Sequence, residues 1–298
     1  MKHPVSSCLR IVTVVLFFCA FSFPVIADQQ SGGSSVWKIS RNGNSILLGG
    51  SMHLLRDEDF PLPQEFDMAF EQSSALVVEA DVEQMEDENV KQYLMTQMFL
   101  GEGQTLESLL NSDTYKILSA VTGDFGIPIE NFSNVKPSMV MMILTSLQMQ
   151  ALGFSQEGID SYLLRKADKE NKPFYFFETV EQQINMLVSM GEGYENEYVR
   201  YSLLDMENTE AYLKTILDDW KTGESAITEK ILKEMKEDWP LIYKTLIADR
   251  NNEWIPQIEG LLDSGTAYFI VVGLAHIHGS DGLMRALEDH GCTIEQFR

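Results

Sequence analysis

The sequence predicts an α/β protein: a mixed sheet built from both chain ends, with a large helical block inserted in the middle. Short apolar runs typical of strands occur near residue 40 and again near residue 270. Between about residues 85 and 262, apolar residues recur instead with the helical period. No Pro-rich or Ser-rich linker and no short repeat follows residue 35, so we expect a single domain over residues 36–298.

Residues 1–27 have the pattern of a cleavable signal peptide. Basic residues precede an apolar run over residues 11–23, and Val25-Ile26-Ala27 provides a peptidase recognition site. The run is shorter than the roughly 20 residues that a membrane span needs. The polar segment 28–35 is typical of a flexible start to the mature chain. We therefore expect cleavage after Ala27, a periplasmic or secreted location and no stable membrane anchor.

Charge and cysteine content argue against a nucleic-acid-binding protein and against a fold held by intrachain disulfides. The chain has 22 basic and 45 acidic residues and a formal net charge of −23. A nucleic-acid partner is not expected, because phosphate binding needs a basic surface. After cleavage Cys292 is the one cysteine left, so no intrachain disulfide can form and a hydrophobic core must hold the fold. We expect Cys292 to be a small buried side chain rather than a nucleophile.

The first predicted elements are a hairpin, a helix and a strand. Residues 36–39 and 46–48 flank Asn42-Gly43, a pair that adopts the positive φ angles of a tight turn. A helix is expected after Pro63 because apolar residues then share one face. It leads to Ala75–Val78, an apolar run short enough to be a buried strand.

One strand is predicted inside the helical block, and the chain ends on further β-structure. Residues 174–177 are apolar, and Thr179 with Gln182 forms a capping box that begins the next helix. Residues 267–272 form another apolar strand. A short amphipathic helix closed by Gly291 then leads to a last strand beginning at Thr293.

Two of the four histidines beyond the signal peptide occur in the same local setting. Gly50-Ser51-Met52-His53 follows one predicted strand, and Gly273-Leu274-Ala275-His276 follows another. Two carboxylates, Glu79 and Glu178, also directly follow apolar strands. Ligands of α/β sheets bind beyond the carboxyl ends of the strands, so these four side chains are expected to converge if their strands are parallel neighbours.

This combination predicts a divalent metal site. Two imidazoles and a carboxylate, here His53, His276 and Glu79, are common ligands that leave a coordination position for water. Glu178 is then expected to activate that water, and Arg250 to orient a glutamate or stabilise developing charge. The alternative for each histidine taken alone is a hydrogen-bonded packing residue.

The remaining histidines have different expected roles. His278 lies two residues from His276, and on an extended chain both would point the same way, which makes His278 a reserve ligand. His290 ends a short helix, where a cation favours the helix dipole, so we expect it to be structural.

The sequence resembles the TraB/PrgY/GumN family, whose animal relatives are the Tiki membrane proteases. The resemblance implies an α/β fold whose active site combines the paired Gly-x-x-His motifs with a strand-end glutamate, and Tiki-like members act as divalent-metal-dependent proteases. It assigns the motif positions to His53, His276, Glu79 and Arg250. His278 and the extra Gly49 depart from the family pattern. The matching segments are Val36-Trp37-Lys38-Ile39, Leu48 to His53, Val77 to Asp81, Gly158-Ile159-Asp160, Phe177 to Gln183, Arg250-Asn251 and Val272 to His276.

These observations predict an exported metal-dependent hydrolase, a peptidase that acts on peptides or proteins and uses Mn²⁺, Co²⁺ or Zn²⁺. Two alternatives remain open at this stage. One is a peptide-binding or sequestering protein that uses the same cleft without turnover. The other is a metal-independent esterase-like hydrolase with a histidine as base.

Overall fold

The computed structural model describes residues 33–154, 157–206 and 209–298. Within them a single six-stranded sheet has the order β4-β3-β5-β2-β1-β6. Both chain ends contribute to this sheet and the middle of the chain supplies one strand, which confirms the predicted fold class. The strands are β1 (Val36–Arg41), β2 (Asn44–Ser51), β3 (Ala75–Val78), β4 (Phe174–Phe176), β5 (Tyr268–Gly273) and β6 (Thr293–Gln296).

Four neighbouring strands run parallel. Strand β5 pairs in parallel with β2 on one side and with β3 on the other, and β3 pairs in parallel with β4. Strand β1 is antiparallel to both β2 and β6. The predicted hairpin between β1 and β2 is confirmed, with φ of 54° at Asn42 and 85° at Gly43. The carboxyl ends of β2, β3, β4 and β5 therefore lie at one edge of the sheet.

Helices form most of the inserted block. Thr179 caps α7 with a reciprocal hydrogen bond to Gln182, as predicted, and a π-helical turn (Lys244–Ala248) leads into α12. None of the helices in the described ranges is long and apolar enough to cross a membrane. The helices are α1 (Gln64–Gln72), α2 (Glu88–Gln97), α3 (Leu106–Leu109), α4 (Ser112–Asp124), α5 (Pro137–Ala151), α6 (Ile159–Glu170), α7 (Val180–Val188), α8 (Glu195–Met206), α9 (Thr209–Thr222), α10 (Ala226–Asp238), α11 (Pro240–Tyr243), α12 (Asp249–Asp263), α13 (Leu274–Ile277) and α14 (Leu283–Asp289).

The buried apolar residues form two clusters. The first surrounds the sheet, where every residue of β3 is buried, and it includes Cys292, which is 8% exposed as the sequence predicts. The second lies within the helical block and includes residues of α4, α5 and α8. Ala80 and Val180 belong to the second cluster, although each lies within two residues of a strand-end glutamate. The edge of the sheet is thus packed against the helical block.

The packed chain begins earlier than residue 36. Ser34 and Ser35 are fully buried, and the Ser35 amide donates to the Trp220 carbonyl over 3.1 Å. Trp220 in turn donates from its indole nitrogen to the Gly50 carbonyl over 2.9 Å. These two serines, which the sequence assigned to a flexible start, are therefore held against the sheet. The predicted signal peptide lies outside the described residues.

Candidate functional site

The parallel strands bring three of the predicted side chains around one point. A methyl group built on Gly273, at the end of β5, would lie 3.2 Å from Glu79 Oε1 and 3.3 Å from His53 Nε2. It would also lie 3.5 Å from His276 Cδ2. The convergence expected of four side chains is thus seen for Glu79, His53 and His276, while Glu178 is joined to Glu79 through Arg250. We call the space around Gly273 the recess. The chemical roles assigned to these side chains stay predictions.

The glycines of the two Gly-x-x-His motifs serve close packing. A side chain at Gly273 would fill the recess, and a Cβ at Gly50 would lie 2.7 Å from Leu274 Cδ1 in α13. Gly273 has φ of −50°, which any residue can adopt. A side chain at either position would therefore crowd its neighbours, and the backbone at Gly273 does not itself require glycine.

Arg250, near the start of α12, is the centre of the charged network. Its Nε donates to Glu178 Oε1 over 2.8 Å, and its Nη2 donates to Glu178 Oε2 over 3.0 Å and to Glu79 Oε2 over 2.5 Å. Its Nη1 donates to His276 Nε2 over 2.9 Å and to the Leu246 carbonyl over 3.4 Å. A guanidinium has five N–H groups, so every one of them is directed at an acceptor of the protein.

Glu79 is a buried carboxylate held in its charged form. Its Oε1 accepts the Gly273 amide over 2.6 Å, and its Oε2 accepts from Gln183 Nε2 over 3.3 Å in addition to Arg250. Burial alone would raise the pKa of Glu79, but the charge of Arg250 above all holds it well below its usual range. Glu79 is therefore a poor proton acceptor at neutral pH.

His276 is buried and neutral. The side-chain nitrogen of Asn251 donates to the His276 carbonyl over 3.0 Å, which places the side-chain oxygen of Asn251 2.7 Å from His276 Nδ1. Because an amide oxygen can only accept, it accepts a hydrogen bond from Nδ1–H. That tautomer leaves Nε2 as the acceptor for Arg250. Burial and then the charge of Arg250 lower the pKa of His276 to about 3. The ring also packs on Trp254, with centroids 4.5 Å apart.

His53 lies beside Gly273, and 43% of its side chain is exposed. Its Nδ1 is 2.9 Å from Asp160 Oδ2, an oxygen that also accepts from the Ser51 hydroxyl. Partial removal from water lowers the pKa of His53, but the charge and hydrogen bond of Asp160, with the charge of Glu79, outweigh this and raise it to about 9. His53 is the most basic imidazole of the recess.

No role was predicted for Asp160, although it lies within Gly158-Ile159-Asp160, one of the segments on which the family resemblance rests. Asp160 is the second residue of α6, and the backbone of that helix start is docked on the residues after β2: the Ile159 amide donates to the Met52 carbonyl over 3.1 Å. A Cβ at Gly158 would lie 2.2 Å from the His53 carbonyl oxygen. The signal that could have identified Asp160 is an acidic residue in the first turn of a helix that is preceded by glycine.

His278 and His290 lie apart from the recess contacts. Residues 274–277 form a helical turn, so His276 and His278 do not share the orientation of an extended strand. His278 is buried against Trp37, with ring centroids 5.2 Å apart at 81°. His290 follows α14, and its Nδ1 lies 3.4 Å from Glu259. The expectation that His278 points with His276 is therefore wrong, because the backbone turns between them.

The predicted metal ligands have suitable chemistry but a competing partner. Within residues 33–154, 157–206 and 209–298, no group of three or more His, Cys, Asp or Glu side chains is arranged to hold a metal ion. Arg250 donates both to His276 Nε2 and to Glu79 Oε2, two of the atoms that a metal would need. A cationic guanidinium in this position repels a second cation. The arrangement described here therefore does not fit a bound ion unless Arg250 moves.

Comparison with known proteins identifies a family. The model of the TraB/PrgY/gumN family matches residues 35–296. A protein described as "Uncharacterized protein YbaP" from Shigella flexneri is 25% identical, over 83% of this chain and 88% of its own. Its counterpart from Escherichia coli (strain K12) is also 25% identical, over 80% of this chain and 86% of its own. No solved structure matches the chain.

Proposed function

This chain belongs to the TraB/PrgY/gumN family, and from that premise we propose that it is an exported hydrolase that cleaves peptide or ester bonds in the recess. One observation carries the proposal. His53, the imidazole whose pKa is raised to about 9, directs Nε2 towards Gly273 beside a fixed cluster of charges. A partly exposed imidazole beside such a cluster is a suitable acid–base group for acyl transfer.

The reaction requires one proton acceptor that later returns the proton. Neutral His53 accepts a proton at Nε2 from a water molecule while the water oxygen attacks the acyl carbon. The tetrahedral intermediate then collapses, the bond to the amine or alcohol breaks, and that group takes the proton from Nε2. Because the pKa of His53 is about 9, kcat/KM should rise about tenfold per pH unit between pH 7 and 8 and level off near pH 9.

Arg250 is positively charged, but none of its N–H groups is free to donate to a substrate. All five of its N–H groups are engaged, so it can favour an anionic intermediate only through its charge, which the two carboxylates of Glu79 and Glu178 offset. Glu178 accepts two of these hydrogen bonds, and we assign to it the anchoring of Arg250. To act as the predicted water-activating base, Glu178 would have to take a proton from water while it accepts both of these hydrogen bonds from Arg250. An anchoring role predicts that Glu178→Gln lowers thermal stability together with activity, whereas a base would lower activity alone.

A second candidate function is the metal-dependent peptidase predicted from the sequence. It is favoured by the way both imidazoles are held. Asp160 accepts a hydrogen bond from Nδ1 of His53, and Asn251 accepts one from Nδ1 of His276, so each Nε2 is directed towards the recess. Metal-binding histidines are commonly oriented by such a partner. With Glu79 they would hold Mn²⁺, Co²⁺ or Zn²⁺, a Lewis acid that activates water, provided that Arg250 first leaves His276.

The test uses purified mature protein, a fluorogenic peptide library and p-nitrophenyl acetate, each with and without chelator. Hydrolysis that is lost in His53→Gln, retained in His290→Gln and insensitive to chelator supports the first candidate. His290→Gln is the matched control, because it removes a partly exposed histidine paired with Glu259. Hydrolysis that chelator abolishes and added Mn²⁺, Co²⁺ or Zn²⁺ restores supports the second. Tight peptide binding without cleavage contradicts both and indicates a sequestering protein.

A further inference from the structure

We infer that Asp160, supported by Ser51, is the positioning residue of His53: it fixes the ring so that Nε2, rather than Nδ1, faces the recess. The inference rests on the proposed function in assigning acid–base work to His53. It adds a residue from a different part of the chain, 107 positions away from the histidine.

The hydrogen bonds of Asp160 are concentrated on one oxygen. Oδ2 is 2.9 Å from His53 Nδ1 and also accepts from the Ser51 hydroxyl, and the residue is 4% exposed. A buried carboxylate is costly unless it is hydrogen-bonded. Ser51 is the last residue of β2 and His53 lies two residues beyond it, so one carboxylate contacts two side chains of the same Gly-x-x-His motif.

A carboxylate at Nδ1 selects one arrangement of the imidazole. The carboxylate accepts a hydrogen bond from Nδ1–H, and in the neutral ring a hydrogen on Nδ1 leaves the lone pair on Nε2. Rotation of the ring by 180° about its Cβ–Cγ bond would break this hydrogen bond and put the carbon Cε1 where Nε2 now lies. The proton transfer of the proposed reaction therefore takes place at Nε2, the nitrogen that lies 3.3 Å from the position of a Cβ on Gly273.

The position of Asp160 is itself fixed by backbone packing. Ile159 donates its amide to the Met52 carbonyl, and Gly158 lies so close to His53 that no side chain fits between them. Asp160 lies in the first turn of α6, a 12-residue helix whose amino terminus favours an anion. His53 and Asp160 thus belong to two segments, the residues after β2 and the start of α6, whose main chains contact each other directly.

A purely structural role for Asp160, in docking α6, makes a different prediction. Loss of that role would change stability but would not change the state of the imidazole in a folded protein. The two roles are separated by Asp160→Asn, which keeps the shape of the side chain, and by the control Asp168→Asn. Asp168 lies on the same helix with its side chain exposed.

The experiment is ¹⁵N-edited NMR of the histidine rings at low temperature, with kcat and KM measured on the best substrate of the library. We expect wild-type protein to show a slowly exchanging, hydrogen-bonded Nδ1 proton that disappears in His53→Gln. It should persist in Asp168→Asn and exchange faster in Asp160→Asn, because a neutral amide oxygen is a weaker acceptor than a carboxylate; kcat of Asp160→Asn should fall about 10- to 100-fold while KM changes little. Ser51→Ala should weaken the signal and lower kcat less.

Each outcome decides the inference. The His276 ring also has a hydrogen-bonded Nδ1 proton, to Asn251, so the His53 signal is the one that His53→Gln removes. If wild-type protein shows no such signal, the inference is overturned without Asp160→Asn, which covers the case in which that variant does not fold. Wild-type kcat in folded Asp160→Asn also overturns it when a substrate is hydrolysed. If no probe is hydrolysed but the Nδ1 proton is present and depends on Asp160, the proposed function fails and the positioning of His53 is supported.

Discussion

Replacing Arg250 by Met removes the cation that lies between two buried carboxylates and keeps much of the aliphatic stem. The side chains of Glu79 and Glu178 are 6% and 8% exposed. Removing one partner of a buried ion pair costs about 3–5 kcal/mol, because an uncompensated charge stays behind. The guanidinium also lies 4.6 Å from the Trp254 ring centroid, a contact that contributes about 0.5–2 kcal/mol. We expect a loss of about 4 kcal/mol at pH 7.

The pH dependence tests the cause of that loss. In wild-type protein the pKa of Glu79 is below its usual range, so its contribution to stability is complete above about pH 4.5 and is lost as the pH falls further. Without Arg250 the same carboxyl is buried and unpaired, and its pKa rises above the usual range. The free-energy difference between the two proteins should therefore be smaller at pH 5 than at pH 7.

The assay is urea unfolding followed by circular dichroism at both pH values. Arg285→Met is the matched control, because Arg285 is 66% exposed and pairs with an exposed aspartate, a contact that contributes about 0–1 kcal/mol. Adding Glu178→Gln to Arg250→Met should recover part of the loss by removing one of the two stranded charges. The reasoning is refuted if Arg250→Met costs no more than Arg285→Met, or if its cost does not depend on pH.

Three further predictions concern stability and processing. Because the pKa of His276 is about 3 in the folded protein and 6.5 when exposed, the unfolded state binds a proton that the native state does not. The urea midpoint should therefore rise from pH 3 to 6.5, less steeply in His276→Gln, and equal slopes would contradict the neutral histidine. Gly158→Ala should cost about 1–3 kcal/mol in thermal or urea unfolding through its clash with His53. Gly260→Ala, in open space on a helix, should instead stabilise by about 0.5–1 kcal/mol, and equal effects would argue against the close packing. Mass spectrometry of the exported protein should find Asp28 at the amino terminus, and an uncleaved chain would contradict signal processing.

Much of the site could be predicted because its residues directly follow strands. The apolar runs before Glu79 and Glu178, and before the two Gly-x-x-His motifs, are local patterns that strand periodicity reveals. Since the four strands are parallel neighbours, their ends meet at one edge. This part of the prediction needed only the assumption of a parallel sheet.

Other features could not be predicted from local patterns. Nothing near Asp160 in the sequence shows that it meets His53, and nothing near Arg250 shows that it contacts both glutamates. The spacing of His276 and His278 made His278 a reserve ligand, and only the helical turn over residues 274–277 shows that the two side chains do not share one orientation. These contacts depend on how distant segments pack.

The α/β class, the strand ends and the residue types at the edge of the sheet follow from local patterns, because hydrophobic period and turn chemistry depend on neighbours in the chain. The protonation state of each group follows instead from packing between distant segments. His53 and His276 are both histidines after a glycine-marked strand end, yet the pKa of one is raised to about 9 and that of the other is lowered to about 3. The carboxylate of Asp160 lies beside His53, whereas the guanidinium of Arg250 lies beside His276. Burial and charge act through space, so side chains from distant segments set these values.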